Sequence, residues 1–263
     1  MIISKYIINN KITIKNFAIS LFVLLFSTIQ LNAKTTRVGT VTQLQTAINN
    51  AASGDIILLL NGTYTNASIS IGVSGITVKA DTSGMVIFNG TSTCSITGNN
   101  NTFSGFQYKN GDITNSINII EIYGNSNTIT QCNFYGYLAH NYIQVNSASQ
   151  YSQITYCNFE AKPGNKNDGP AIQVTISPTV ISYTKIRYCT FMNFLGLGGD
   201  FGNECIRIGE GSQQNYVSAT IVEYCYFENT GPGDSESVAI SCVITTCSKR
   251  KTGIWISILG IIA

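Results

Sequence analysis

Charge is scarce in this sequence: Lys, Arg, Asp and Glu together make up 11% of its 263 residues. So little charge suits short strands joined by polar turns better than long surface helices. Histidine occurs once, at His140, which excludes a multi-histidine metal centre. No two cysteines stand in C-x-x-C spacing, which argues against a zinc site, and no G-x-S-x-G motif marks a nucleophilic serine. Plentiful instead are Gly, Asn, Ser, Thr, Ile and Tyr, the residues of β-strands and tight turns.

The amino-terminal stretch carries a separate message. Lys5, Lys11 and Lys15 precede an apolar run from Phe17 to Ile29, and Leu31-Asn32-Ala33 ends on a small residue. That is the order of a secretory signal, so residues 1–33 are expected to be removed and the mature chain to begin near Lys34. The run is short and interrupted by Ser20, Ser27 and Thr28, so no stable membrane span is expected once it is gone. The implied location is secreted, periplasmic or outer-surface. Removal takes away three lysines and no acid, leaving 12 basic against 13 acidic residues, about −1. No global basic field remains to attract nucleic acid. An anionic substrate would have to be held by local cations or a metal.

From Lys34 on, the sequence repeats. Five segments align: Asn101-Thr-Phe-Ser-Gly-Phe106, Asn127-Thr-Ile-Thr-Gln-Cys-Asn-Phe134, Ser152-Gln-Ile-Thr-Tyr-Cys-Asn-Phe159, Thr184-Lys-Ile-Arg-Tyr-Cys-Thr-Phe191 and Ala219-Thr-Ile-Val-Glu-Tyr-Cys-Tyr-Phe227. In this alignment the last carries one extra residue between its Ile and its Cys. A second set alternates with the first: Ile120-Glu-Ile122, Ile143-Gln-Val145, Ile172-Gln-Val174, Ile206-Arg-Ile208 and Val238-Ala-Ile240. The interval runs from 23 residues (Ile122 to Val145) to 34 (Val174 to Ile208). Strands this short cannot bury a face alone. Stacked as coils they lay Ile on Ile and pair each backbone with the coils above and below, which implies an all-β, right-handed parallel β-helix over 34–240. Period-two alternation then points Ile206 and Ile208 inward and Arg207 out.

Cys132, Cys157, Cys189 and Cys225 recur at one place in the repeat. They are expected to form an inert, buried column rather than disulfides. At the other end, Leu44, Ala47, Ile48 and Ala51 share one face of a helical pattern, followed by the apolar strand Ile56 to Leu60. A short amphipathic helix there would cover the open end of the solenoid, which otherwise exposes unpaired edges.

The segment LQTAINNAASGDIILLLNGTY, Leu44 to Tyr64, resembles the amino-terminal cap of β-helical polysaccharide lyases. GNECIRIGEGS (Gly202 to Ser212) and GDSESVAIS (Gly233 to Ser241) look like the paired site motifs of polysaccharide lyase family six, the alginate lyases and chondroitinase B relatives. The resemblance implies β-elimination on an anionic uronate polymer, alginate or chondroitin/dermatan sulfate. It also implies Ca²⁺ held by Asn203, Asp234 and Glu236. Hard oxygen ligands suit Ca²⁺, and two carboxylates so close repel unless a cation or proton lies between them. On composition alone, Gly231-Pro-Gly-Asp-Ser reads only as a solvated loop. In such lyases a lysine five residues beyond the second acid takes the C5 proton, and an arginine further on assists the leaving oxygen. Here the lysine's place is Ser241, and a serine hydroxyl without a partner base cannot take that role. The arginine's place near the end of the chain holds only Ile and Ala, and Lys249, Arg250 and Lys251 sit in no recognisable rung, so this chain is expected to be inactive.

Arg207 projects on the same face as Gln144 and Gln173, with Glu204 at the head of its strand. These four are the candidate substrate contacts, against the plainer reading of a solvated strand face. Lys162, Lys166 and Asp168 fall in an insertion that could wall a groove, and Tyr135, Tyr137 and Tyr142 could stack on sugars, although aromatics at coil corners more often pack. After Ile240 the repeat stops. Residues 241–263 contain the only Trp, Trp255, and end on an apolar run, as a truncated or frameshifted end would. Two other functions compete: a non-catalytic carbohydrate-binding or adhesive β-helix, and a β-helix glycoside hydrolase with paired carboxylates.

Overall fold

The chain separates into residues 1–32 and 33–263. The computed structural model describes residues 33–113, 117–163, 169–194, 204–213, 215–230, 238–241 and 243–244. Their strands, two to four residues each, assemble into three long parallel sheets and one two-stranded pair. Sheet one starts with Thr35–Val38 and Ile56–Leu59 and ends with Ile221–Glu223. Sheet two runs from Gly62–Thr65 to Tyr226–Glu228, and sheet three from Ser68–Ile71 to Val238–Ser241. The chain visits the three in turn, coil after coil. This is the right-handed parallel β-helix that the repeat implied.

Each repeat segment that reads as one strand in the sequence is two. Thr128–Thr130 lies in sheet one and Asn133–Tyr135 in sheet two. Between them the chain turns at a residue in the left-handed region: Gln131 (φ 55°), Tyr156 (54°), Tyr188 (55°) and Tyr224 (56°). That conformation costs about 1–2 kcal/mol for an L-residue with a side chain. The tyrosines answer it by stacking in near-parallel pairs, Tyr156 on Tyr188 at 4.9 Å and Tyr188 on Tyr224 at 5.0 Å.

The fifth segment corrects the alignment read from sequence. Ile221 stands opposite Lys185, Val222 opposite Ile186 and Glu223 opposite Arg187; further on, Phe227 stands opposite Phe191. There is no extra residue. The segment begins at Thr220, and Val222 rather than Ile221 joins the inward column. Two adjacent β-branched residues are interchangeable to a period-two pattern. The register is settled by neighbours: Glu223 forms an ion pair with Arg187 one coil away, and Thr220, buried like Thr184, takes its place in the polar corner column.

Inside, like lies on like. Tyr108, Phe134, Phe159, Phe191 and Phe227 form a column with successive ring centroids 5.4, 5.0, 4.8 and 5.0 Å apart. Cys132, Cys157 and Cys189 are buried, and with Cys225 they carry free thiols. Each of the four thiols donates to a carbonyl two residues back and to one in the preceding coil. Burial pushes the Cys157 thiol well up, away from the reactive thiolate.

At the open end, helix α1 (Val41–Asn49) buries Leu44 and Ile48, while Ala47 and Ala51 pack beside them. Thr40 caps it by accepting from the Gln43 amide at 3.1 Å. Gln45 then stands in for the strand that the edge of sheet three lacks. Its amide donates to the Ser70 carbonyl at 2.8 Å and accepts from the Ser70 N–H at 2.9 Å. This satisfies a sheet edge with one side chain. Among the described residues no helix is long and apolar enough to cross a membrane.

Two outcomes follow from this core. Phe159→Ala removes a ring stacked on both faces and should cost about 3–5 kcal/mol, read from the urea unfolding midpoint. The ladder thiols should resist a thiol reagent in the native protein and react on denaturation, and a reductant should leave Tm unchanged; a reductant-sensitive Tm would mean that coil-bridging disulfides exist in the folded protein.

Candidate functional site: a polar row along sheet three

Sheet three holds the candidate residues because its register carries one outward position from coil to coil. Ser70, Ser95, Glu121, Gln144, Gln173, Arg207 and Ala239 stand opposite one another in that order. Their inward neighbours on both sides are buried Ile, Val or Cys through Arg207's strand, so alternation leaves this row no choice but the outer face. Adjacent members are one inter-strand spacing apart, about 4.8 Å.

Three members of the row, Glu121, Gln144 and Arg207, are anchored by the residue three positions earlier. Asn118 Nδ2 donates to Glu121 Oε1 at 3.0 Å, and Asn141 Nδ2 donates to Gln144 Oε1 at 2.8 Å. Arg207 Nη2 donates to both carboxylate oxygens of Glu204 at 2.6 Å, with Nε on Oε1 at 3.2 Å. Sequence reasoning missed Asn118, Asn141 and Glu121. The signal was present, in Asn118-Ile-Ile-Glu121, Asn141-Tyr-Ile-Gln144 and Glu204-Cys-Ile-Arg207: a polar pair separated by two residues that face or edge the core.

The four proposed contacts differ in access. Glu204 is 7% exposed and Gln173 only 3%. Gln173 Nε2 donates to the Gly209 carbonyl at 3.1 Å, one coil on. Gln144 donates to the Thr175 hydroxyl. Gln144 and Arg207 keep partial exposure. A buried carboxylate chelating a guanidinium fixes it as a rigid, charged fork, suited to planar oxyanions.

Asn203, Asp234 and Glu236 lie outside the described residues. What is described is the frame that follows them: Ile206 and Val238, three residues after Asn203 and two after Glu236, stand directly opposite each other in adjacent strands of sheet three. The strands that follow the two motifs are thus neighbours in register. Among the described residues no group of three His, Cys, Asp or Glu could hold a metal. Ser241 ends the strand Val238–Ser241, opposite Gly209. Strand pairing runs slightly beyond the repeat, with Val243–Ile244 alongside Val217–Ser218.

The remaining aromatic and charged candidates go elsewhere. Tyr137 and Tyr142 are fully buried, Tyr137 donating to the Gly90 carbonyl at 2.6 Å and Tyr142 stacking on Phe134 at 5.4 Å. Tyr135 is 39% exposed on sheet two, with the Lys109 ammonium 5.6 Å from its ring centre. Lys162 is buried, its ammonium 5.8 Å from the Tyr142 ring centre. Lys166 and Asp168 lie outside the described residues.

Comparison with known proteins agrees with this architecture. No curated relative matches the chain. Among solved structures it is similar to the alginate lyase AlyGC of family PL6, at TM-score 0.71 and 22% identity over 79% of this chain and 30% of that one. It is similar to a mannuronic acid specific family 6 lyase from human gut microbiota, at 0.69 and 20% over 80% and 53%. A PL6 alginate lyase in complex with a trisaccharide matches at 0.66 and 18% over 80% and 48%. The chain thus spans roughly a third to a half of the length of these structures. The family model for chondroitinase B matches residues 38–246, well over half of the sequence, and the chain therefore belongs to the chondroitinase B family, within the polysaccharide lyases.

Proposed function

We propose that this protein holds a uronate polymer, alginate or chondroitin/dermatan sulfate, along the outer face of sheet three, at a Ca²⁺ site formed by Asn203, Asp234 and Glu236. The observation that carries the reading is the Glu204-chelated Arg207, a fixed cation at the head of the strand paired with the one that the acidic motif enters. Arg207 would take a substrate carboxylate, Gln144 would meet sugar hydroxyls, and Glu204 and Gln173 would hold the row in place. When bound, Ca²⁺ would offset the substrate carboxylate and the enolate-like charge of an elimination. Likeness to alginate lyases, one with a trisaccharide bound, supports the substrate class. The signal-like leader supports a place outside the cytoplasm, where such polymers are met.

Turnover is a separate matter. Ser241 stands at the position that the resemblance gives to the proton-abstracting lysine. An unassisted hydroxyl is far too weak a base near neutral pH. We therefore read this chain as a lyase-type protein that binds and does not eliminate; a non-catalytic carbohydrate-binding β-helix is the alternative that Ser241 itself favours.

Incubation with alginate and with dermatan sulfate, with and without Ca²⁺, tests both parts. Binding without an unsaturated product is expected. Metal-dependent absorbance of that product would overturn the inactivity, and reducing ends without absorbance would mean hydrolysis. Arg207→Met should weaken binding about tenfold or more, and Arg207→Lys should recover only part of it because a point charge does not replace a planar fork. Ca²⁺ at a hundredfold its Kd should stabilise the fold by about 2.7 kcal/mol. That gain, read as a rise in Tm, should vanish in Asp234→Asn with Glu236→Gln; a gain that survives the double change would place the ion elsewhere.

A further inference from the structure

The outward row of sheet three is sorted by charge. Arg207 stands near one end, with Ala239 beyond it; Gln173 and Gln144 follow, and Glu121 stands three coils away, with Ser95 and Ser70 beyond it. Three inter-strand steps are about 14 Å. Both Arg207 and the far side of this stretch thus have a carboxylate at hand, Glu204 beside Arg207 and Glu121 in the row itself. Their surroundings differ in kind.

Glu204 is neutralised by a chelated guanidinium. Among the described residues Glu121 has no cationic partner. Its oxygens accept from two neutral donors, Asn118 Nδ2 on Oε1 at 3.0 Å and the Tyr123 hydroxyl on Oε2 at 3.0 Å. Burial, and then the bond to and charge of Glu121, raise the Tyr123 phenol above its ordinary value, so it remains the donor. Two neutral hydrogen bonds fix the side chain without cancelling its field. A fixed carboxylate held only by neutral donors among the described residues therefore sits in the same line as the fixed cation.

We infer that Glu121 closes the amino-terminal end of this binding face to uronate carboxylates and defines there a subsite for a sugar presented by its hydroxyl groups. An ionised carboxylate has about four lone-pair sites, and two of them are taken here, so it can still accept from sugar hydroxyls. A uronate carboxylate arriving at the same place brings only acceptors and a like charge. Tyr123, 43% exposed, adds an aromatic surface beside the carboxylate, and Gln144 and Asn141 border it from the next coil. A polyuronate anchored at Arg207 can follow the row over Gln173 and Gln144 without penalty, and its next acidic ring meets repulsion. The binding face thus has a direction and a length limit set by one residue. This inference rests on the reading of sheet three as the uronate-binding face.

The test is a titration of the full chain, in Ca²⁺, with alginate oligosaccharides of increasing length. For the native protein, affinity should rise with length and then level off or fall once the oligomer reaches Glu121. In Glu121→Gln, which keeps the shape, the longest oligomers should bind about tenfold tighter, while the shortest bind as before. Raising the salt concentration should narrow the gap between the two proteins, because a repulsion at a partly exposed site is screened. A length dependence that is the same in both proteins, or weaker binding of long oligomers by Glu121→Gln, overturns the inference and leaves the uronate-binding face standing. Absence of binding by the native protein, or no loss in Arg207→Met at the shortest length that binds, overturns the binding face itself and the inference with it. An unchanged Tm for Glu121→Gln verifies that the fold is intact.

Discussion

The parallel registration of one coil on the next is the constraint from which the rest of this structure follows. Each strand is only two to four residues long, too short to hold an orientation by itself. Its orientation comes from the coils on either side, whose backbone groups it must satisfy and whose side chains it must match. A slip of one residue would turn an inward Ile or Phe to water and bring a polar neighbour inside. The Phe column, the thiol column and the corner column of Asn101, Asn127, Ser152, Thr184 and Thr220 are three records of the same registration. In the corner column the buried Asn127 accepts from the Asn101 amide at 2.9 Å and donates to the Gly98 carbonyl at 2.8 Å. Polar residues can line the inside of the turn because every such group is used.

That registration also writes the outer face, where nothing in the core demands a particular side chain. Stacking delivers one outward position per coil, in line, whatever residue occupies it. A site along sheet three therefore costs the fold little: the scaffold supplies the alignment, and short local pairs such as Asn141 with Gln144 or Glu204 with Arg207 supply the fixation. The corners carry the strain instead. Tyrosine at φ near 55° in three successive coils is unfavourable residue by residue, and it persists because the rings that result lie face to face.

Most of the scaffold was legible in the sequence because a solenoid repeats its instructions. Ile120-Glu-Ile122 and its four successors name one sheet almost unaided, and the aligned cysteines gave their column. The corner at Gln131, Tyr156, Tyr188 and Tyr224 was not legible, since neither glutamine nor tyrosine carries a preference for the left-handed region that would reveal a turn. The fifth segment misled for a different reason: Ile221 and Val222 are equally good inward residues, and only contacts from the neighbouring coil choose between them. The site divides in the same way. Arg207, Gln144 and Gln173 followed from alternation alone. The burial of Gln173 did not, because what covers a strand face comes from elsewhere in the chain. Glu121 was passed over because it was weighed only as the middle of a strand, without the hydrogen-bonding partners on either side of it.

The proposed binding of an anionic polymer does not depend on the net charge of the chain, a formal +2. Net charge governs the field far from a protein, where salt screens it beyond roughly 8–10 Å. Within a groove the nearest charges decide. There a carboxylate is defined less by its own charge than by the donors it has. Glu204 spends its charge on a guanidinium that it holds rigid, so the pair presents a positive edge. Glu121 is held by an amide and a phenol, which leave its charge in place. The same residue type, three coils apart on the same sheet face, thus serves at one end to position a cation and at the other to oppose an anion.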